Sequence, residues 1–346
     1  MEKQIHGGNT YDKEVSLDFS VNINPLGMPD GVQDAILNNM SGYETYPDIR
    51  YTALREAVAG KERVQAERIL CGNGASELIM AVVRAEKPYK CAVAAPSFSG
   101  YERAVSAYGA ETEYYKLDEK NEFGYADACS QLKDMDIQMC FICNPNNPTG
   151  ITIPKDLLEE ILETCAMQGI FMVVDECFLD FVKDPEKHTL KGKLEKYPGL
   201  FILKAFTKRY AIPGVRLGYG FCSDREVLDR MEAVTQPWNV STMAQQAGMA
   251  ALKESEYVEA GRQIIFRESA WMKEKMRQVG LTVYPSEANY IFFYGPEDLF
   301  ERCVAKGILI RDCSNYLGLK KGYYRVAVKL HEQNKKLIEV LEEVLS

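Results

Sequence analysis

The sequence predicts an α/β fold: a large domain with a mostly parallel sheet and helices on both faces, plus a smaller α+β domain. Two observations carry this expectation. Through the middle of the chain, short unbroken apolar runs alternate with helical patterns. Such runs suit strands buried on both faces of a parallel sheet. In the last third the strand candidates shorten and long amphipathic helices bracket them. A chain of 346 residues is long enough for two domains.

Taken in order, residues 1–45 show no sheet pattern and are expected to pack on the small domain. Residues 46–240 are assigned to the large domain, with predicted strands at 91–95, 139–143, 170–174 and 200–203. Residues 154–168 read as a helix, with Pro154 placed to open it and Gly169 to close it. Residues 241–280 supply connecting helices; 262–279 is amphipathic and Gly280 ends it. Residues 281–346 form the small domain, with strands expected at 282–284, 290–294, 309–311 and 323–328. The closing helix carries Leu337, Ile338, Leu341, Val344 and Leu345 on one stripe.

Composition narrows the function. The net charge is −9 and the chain has no basic block, which argues against nucleic acid as a partner. No apolar run approaches a membrane span, and the start has no apolar signal core, so a cytoplasmic protein with no membrane partner is expected. Ten cysteines fit a reducing compartment. Only Cys140 and Cys143 have metal-like spacing. On a strand, residues three apart face opposite ways, so these are read as buried thiols and no metal site is expected.

The polar residues gather where ligands bind in parallel sheets, beyond the carboxyl ends of the strands. Asn144-Pro145-Asn146-Asn147-Pro148-Thr149-Gly150 follows one run, Asp175-Glu176 the next, and Lys204-Ala205-Phe206-Thr207-Lys208 the last. Gly72-Asn73-Gly74-Ala75-Ser76 leads into an apolar helix, whose N-terminus favours an anion. A dinucleotide fingerprint would need glycine where Glu77 stands, so this is not that motif. An anion site, a lysine, a carboxylate and an amide around one crevice match the demands of pyridoxal 5'-phosphate (PLP). The lysine bonds the aldehyde, the carboxylate keeps the ring nitrogen protonated, and the phosphate needs amides and a cation.

These motifs together resemble the fold-type I PLP enzymes of the class I/II aminotransferase family. Asn144 to Gly150 is similar to its NPxNPTG motif, Asp175-Glu176 to its aspartate motif, and Thr207-Lys208 with Ile212 to Tyr219 to its lysine segment. The resemblance implies the PLP-dependent transferase fold (type I), PLP as cofactor and a homodimer. It further implies that Lys208 bonds the cofactor and Asp175 faces the ring nitrogen. Asn147 would bond the phenolate oxygen, Phe98 would stack on the ring, and Ala75, Ser76, Thr207 and Arg216 would hold the phosphate. Tyr46 would reach the neighbouring subunit's cofactor, and Arg325 would grip a substrate carboxylate.

Two branches of the family compete. Most motifs are shared with histidinol-phosphate aminotransferases. His6-Gly7-Gly8-Asn9, Asp18 to Pro25, Gly307 to Asn315, and Phe178 in place of a common tyrosine resemble the threonine-phosphate decarboxylases of cobalamin biosynthesis. On that resemblance His6, Asn24 and Arg311 would line the phosphate end of the substrate, a phosphorylated amino acid or amine. Decarboxylation is the leading expectation and transamination the alternative. Ala205 departs from a phosphate-binding serine, and Cys177 from a common alanine; Cys177 is read as a packing residue.

Overall fold

The computed structural model describes residues 7–11 and 14–346. Its first half runs β1 (Leu17–Asp18), α1 (Asp30–Leu37), α2 (Thr52–Glu62), β2 (Ile69–Gly72), α3 (Ala75–Glu86), β3 (Lys90–Ala95), α4 (Gly100–Tyr108), β4 (Glu111–Lys116), α5 (Ala128–Lys133), β5 (Met139–Cys143), α6 (Lys155–Met167) and β6 (Phe171–Asp175). Next come β7 (Leu200–Ala205), α7 (Phe206–Arg209), β8 (Gly218–Phe221), α8 (Arg225–Val234), α9 (Thr242–Ala251) and α10 (Ser255–Gln278). The chain ends with β9 (Thr282–Val283), β10 (Tyr290–Tyr294), α11 (Leu299–Ala305), β11 (Ile308–Leu309), β12 (Arg311–Asp312), β13 (Tyr323–Ala327) and α12 (His331–Leu345).

Seven strands form the main sheet in the order β2-β8-β7-β6-β5-β3-β4. All neighbours are parallel except β8, which is antiparallel to β7 and β2. A parallel return needs a crossover element, usually a helix. The link from β7 to β8 offers only the single turn of α7, so the chain doubles back. The central strands β5 and β7 are buried at every position, which is why they read as apolar runs. The four expected strands are all present, 139–143 with the bounds expected and the others with ends moved by one or two residues. β6 begins at Phe171 because the Ile170 amide closes the preceding helix on Cys165 O at 2.9 Å.

A four-stranded sheet, β12-β13-β10-β9, is antiparallel throughout. The segment expected as one strand at 309–311 is two. Ile308–Leu309 pairs in parallel with β1 of the N-terminal segment, and Arg311–Asp312 pairs with β13. The N-terminal segment thus contributes a short strand that sequence periodicity does not reveal. The amphipathic helix also starts earlier than expected, at Ser255, and runs through Gly261. A Cβ there would lie 2.5 Å from Asn24 Nδ2, so the glycine makes room for that side chain. No helix among the described residues is long and apolar enough to cross a membrane. All ten cysteines are free and buried.

Candidate active site

The carboxyl ends of β5, β6 and β7 converge on a cavity of about 300 Å³. Its wall includes Ala75, Ser76, Phe98, Asn147, Asp175, Thr207, Lys208 and Arg216 from the large sheet and its loops. Arg311 and Arg325 enter from the small sheet, where β12 and β13 pair them directly opposite each other. A larger hollow of about 1140 Å³ beside Ile49, Arg55 and Trp238 holds none of these groups.

Lys208 sits on the single turn after β7. Burial and the nearby Arg325 and Arg216 guanidinium groups pull its ammonium down to about 8, against the attraction of Asp175. Its Nζ lies 5.9 Å from the centroid of Phe178, whose ring meets Tyr290 edge-on at 5.1 Å. Asp175, the last residue of β6, is buried. It accepts from Tyr101 Oη at 2.7 Å and from the Cys177 amide at 2.9 Å. Burial raises its carboxyl, and these two donors with Lys208 oppose the rise. Cys177 is a buried thiol pushed up by the same burial and by Asp175.

The anion cradle is built by close backbone approach. At Gly74, φ is +79° and a Cβ would lie 2.6 Å from Arg216 Nη2. At Gly218 a Cβ would strike the Ala75 amide nitrogen at 2.5 Å. Both glycines therefore bring the N-terminus of α3 against the arginine. With Thr207 alongside, the donors suit a phosphate monoester; with Lys208 and a buried carboxylate across the cavity, the set fits PLP.

Arg325 is 5 % exposed and its head is held before any ligand arrives. Nη2 donates to Ser20 O at 3.0 Å, and Nη1 donates to Asn147 Oδ1. With its carboxamide oxygen turned inward, Asn22 accepts from Nε and Nη1, each at 3.2 Å. Tyr316 Oη stands 3.5 Å from Asn147 Oδ1 and lines the same wall. Arg311 Nη2 donates to Asn315 Oδ1 at 2.9 Å, and its guanidinium lies 5.3 Å from the Tyr316 ring centroid. Its neighbour Asp312 is engaged elsewhere, by the Ser314 amide at 2.8 Å and hydroxyl at 3.0 Å.

Three expected site residues stand apart. His6 lies outside the described residues. Asn24 is not in the cavity wall. Its amide donates to Lys208 O at 3.0 Å, its Nδ2 to Arg209 O at 3.1 Å, and its Oδ1 accepts from Leu26 N at 3.1 Å. Asn24 thus stitches the lysine turn to the N-terminal segment, and Asn22, two residues earlier, faces the cavity. Tyr46 is 78 % exposed, outside the cavity wall of its own chain, and stacks on Trp238 with centroids 4.4 Å apart. Sequence reasoning missed Asn22, Tyr101 and Tyr316. Asn22 lies inside the Asp18-to-Pro25 stretch whose resemblance pointed to Asn24, and it is Asn22 that lines the cavity.

The sequence family "Aminotransferase class I and II" matches residues 14–341. A threonine-phosphate decarboxylase from Salmonella typhimurium is 37% identical over 353 residues, covering 99% of this chain and 96% of that one. A solved histidinol-phosphate aminotransferase from Clostridium acetobutylicum superposes with a TM-score of 0.88 at 30% identity, covering 95% of this chain and 99% of that one. A further histidinol-phosphate aminotransferase, from Sinorhizobium meliloti and in complex with pyridoxal-5'-phosphate, shares the fold with a TM-score of 0.86 at 17% identity, covering 96% of this chain and 91% of that one. Fold, motif order and similarity along the whole chain agree: the chain belongs to the aminotransferase class I and II family of PLP-dependent enzymes.

Proposed function

We propose that this chain binds PLP and decarboxylates a phosphorylated amino acid of the threonine-phosphate type. The observation that carries the reading is the pair Arg311 and Arg325, opening on one cavity with Lys208. Threonine phosphate has two anionic groups on one small skeleton, a carboxylate and a phosphate. Two fixed guanidinium groups suit that pair. Histidinol phosphate has only its phosphate as an anion. Transamination of histidinol phosphate is the second reading, supported by the 30% identity to the Clostridium acetobutylicum aminotransferase.

When bound, PLP supplies an electron sink for the pair of electrons left on the substrate's α-carbon. The protein's part is binding and orientation. Ala75 and Ser76 amides, Thr207 and Arg216 would hold the phosphate, and Phe98, in the same cavity wall, would pack against the ring. Lys208 would supply the amine that anchors the cofactor and, with that amine free, would hold a proton beside the substrate's α-carbon. Arg325, braced by Asn22, Ser20 and Asn147, fixes the carboxylate, so the bond to be broken is set by position. Phe178, unlike tyrosine, has no hydroxyl to donate, so Asn147 would be left to hydrogen-bond the cofactor's phenolate oxygen. Tyr46 supports a homodimer, in which it would serve the neighbouring subunit's site; light scattering that finds an active monomer at assay concentration would remove this role.

The holoenzyme, given threonine phosphate, is expected to release CO2. Given histidinol phosphate with 2-oxoglutarate, it is expected to form little glutamate. The opposite outcome would establish the second reading. Arg311→Ala tests the phosphate end. The preference in kcat/KM for phosphorylated over unphosphorylated substrate is expected to fall by about 1–3 kcal/mol. An unchanged ratio would leave Arg311 with a purely structural role.

A further inference from the structure

Behind Lys208, on the sheet face turned from the cavity, lies a closed cluster of charges. Side chains alternate along β7: Ala205 lines the cavity, so Lys204 points to the opposite face. Its register partner on β8, Tyr219, shares that face. Lys204 Nζ lies 3.5 Å from Glu62 Oε1 and 3.5 Å from Asp180 Oδ1. Arg209, the residue after Lys208, places Nη1 3.6 Å from Glu62 and 3.3 Å from Asp180. Lys191 Nζ is 3.1 Å from Glu62 Oε2, and Tyr219 Oη donates to Glu62 Oε1 at 2.7 Å. Glu176 closes the edge, accepting from Thr189 Oγ1 at 2.8 Å.

This arrangement is poorly suited to stability alone. Glu62, Lys204, Arg209 and Asp180 are each at most 8 % exposed, and taking several charges out of water is costly even when they are paired. Glu62 is the last residue of α2, where the helix dipole disfavours a carboxylate. Arg209 Nε is buried without a hydrogen-bond partner. Yet every strand in the cluster also shapes the catalytic cavity. β6 ends in Asp175, β7 leads to Lys208, and the loop before β8 carries Arg216.

We propose that Glu62 and Lys204 are positioning residues for Lys208, the charge balance behind the lysine turn setting both its seat and the acidity of its amine. This rests on the reading that Lys208 is the cofactor lysine. From the cavity side Lys208 is faced by Asp175, Cys177, Arg216 and Arg325. From behind, Arg209 is the next residue of its turn and Lys204 lies on the strand that leads into it, and both cations are held by Glu62 and Asp180. Burial pushes the Glu62 carboxyl up, but Lys204, Lys191 and Arg209 outweigh it and hold the group below its ordinary value. Removing that anion leaves excess positive charge behind the lysine turn, on the other face of the sheet, and on this proposal disfavours the ammonium form of Lys208. Removing Lys204 does the reverse.

The test is competitive acetylation of Lys208 with acetic anhydride across pH, on apoprotein, read by peptide mass spectrometry. Glu62→Gln is expected to lower the titration midpoint of Lys208 by roughly half to one pH unit. Lys204→Met is expected to raise it, and the double variant to return close to wild type. Tyr219→Phe, which leaves every charge in place, is expected to leave it unmoved. Thermal melting of each variant identifies one that does not fold; Asp180→Asn, of the same sign, then replaces Glu62→Gln, and Arg209→Gln replaces Lys204→Met. Unmoved midpoints in both single variants, or shifts in one common direction, would overturn the proposal. A wild-type chain that forms no borohydride-reducible bond between Lys208 and PLP defeats the functional reading instead, and the midpoints are measured on the same apoprotein regardless.

Discussion

Lys208→Ala is expected to abolish turnover, with a loss of roughly 10⁴-fold or more, as when a covalent catalytic group is removed. The variant should fold, because among the described residues the Lys208 side chain makes no hydrogen bond; its backbone oxygen receives the Asn24 amide, and that bond survives. The wild-type chain with PLP should show a Schiff-base absorbance band that borohydride removes, with the label on the peptide containing Lys208. A reducible lysine adduct in Lys208→Ala would sink the assignment. The environment of the amine adds a pH signature. With burial and two guanidinium groups holding it at about 8, roughly one amine in four is neutral at pH 7.5, against about one in a thousand for an ordinary lysine. Only the neutral form attacks an aldehyde. Capture of PLP by apoprotein should therefore speed up with rising pH and level off above about 8. A midpoint above 10 would show that the cavity does not depress this amine.

Asp175→Asn is the second large effect expected. The variant should remain loaded with PLP, since the proposed phosphate cradle of α3, Thr207 and Arg216 is untouched, yet lose about 10²–10³ in kcat. The reason lies in the surroundings of the carboxylate. It is 7 % exposed and already oriented by Tyr101 and the Cys177 amide. A buried anion held in this way favours a positive charge opposite it, which under the proposed function would be the cofactor's protonated ring nitrogen. An asparagine is neutral there, and one half of its amide is a donor facing donors. Absorbance reports the loading and steady-state assay the turnover. Near-normal kcat in a loaded variant would assign the electronic role elsewhere.

Much of this site was legible in the sequence because a parallel strand buried on both faces leaves a strong trace. The apolar runs ending at Cys143, Val174 and Leu203 are followed by Asn144, Asp175 and Lys204, and ligands gather at that edge of such sheets. Strands without that trace escaped. β4 is a half-buried edge strand that opens on three polar residues, β8 is glycine-rich and runs backwards, and β2 is only four residues long. β1 exists only because β11 lies beside it.

The sequence by itself determined the fold class, the order of the motifs and the family, since these depend on local composition and on spacing along the chain. Tertiary structure decided which polar groups meet. It put Asn22 rather than Asn24 in the cavity, because Asn22 meets Arg325 while Asn24 is held against α10 and the lysine turn. It turned Arg311 toward Asn315 and Tyr316, with Asp312 engaged by Ser314. It gathered Glu62, Asp180, Lys204 and Arg209 from three parts of the chain behind Lys208. The bond from Arg325 to Ser20 O joins residues 305 positions apart. No local periodicity encodes such a contact. It follows from the packing of whole elements, which brings buried donors to the acceptors that can satisfy them.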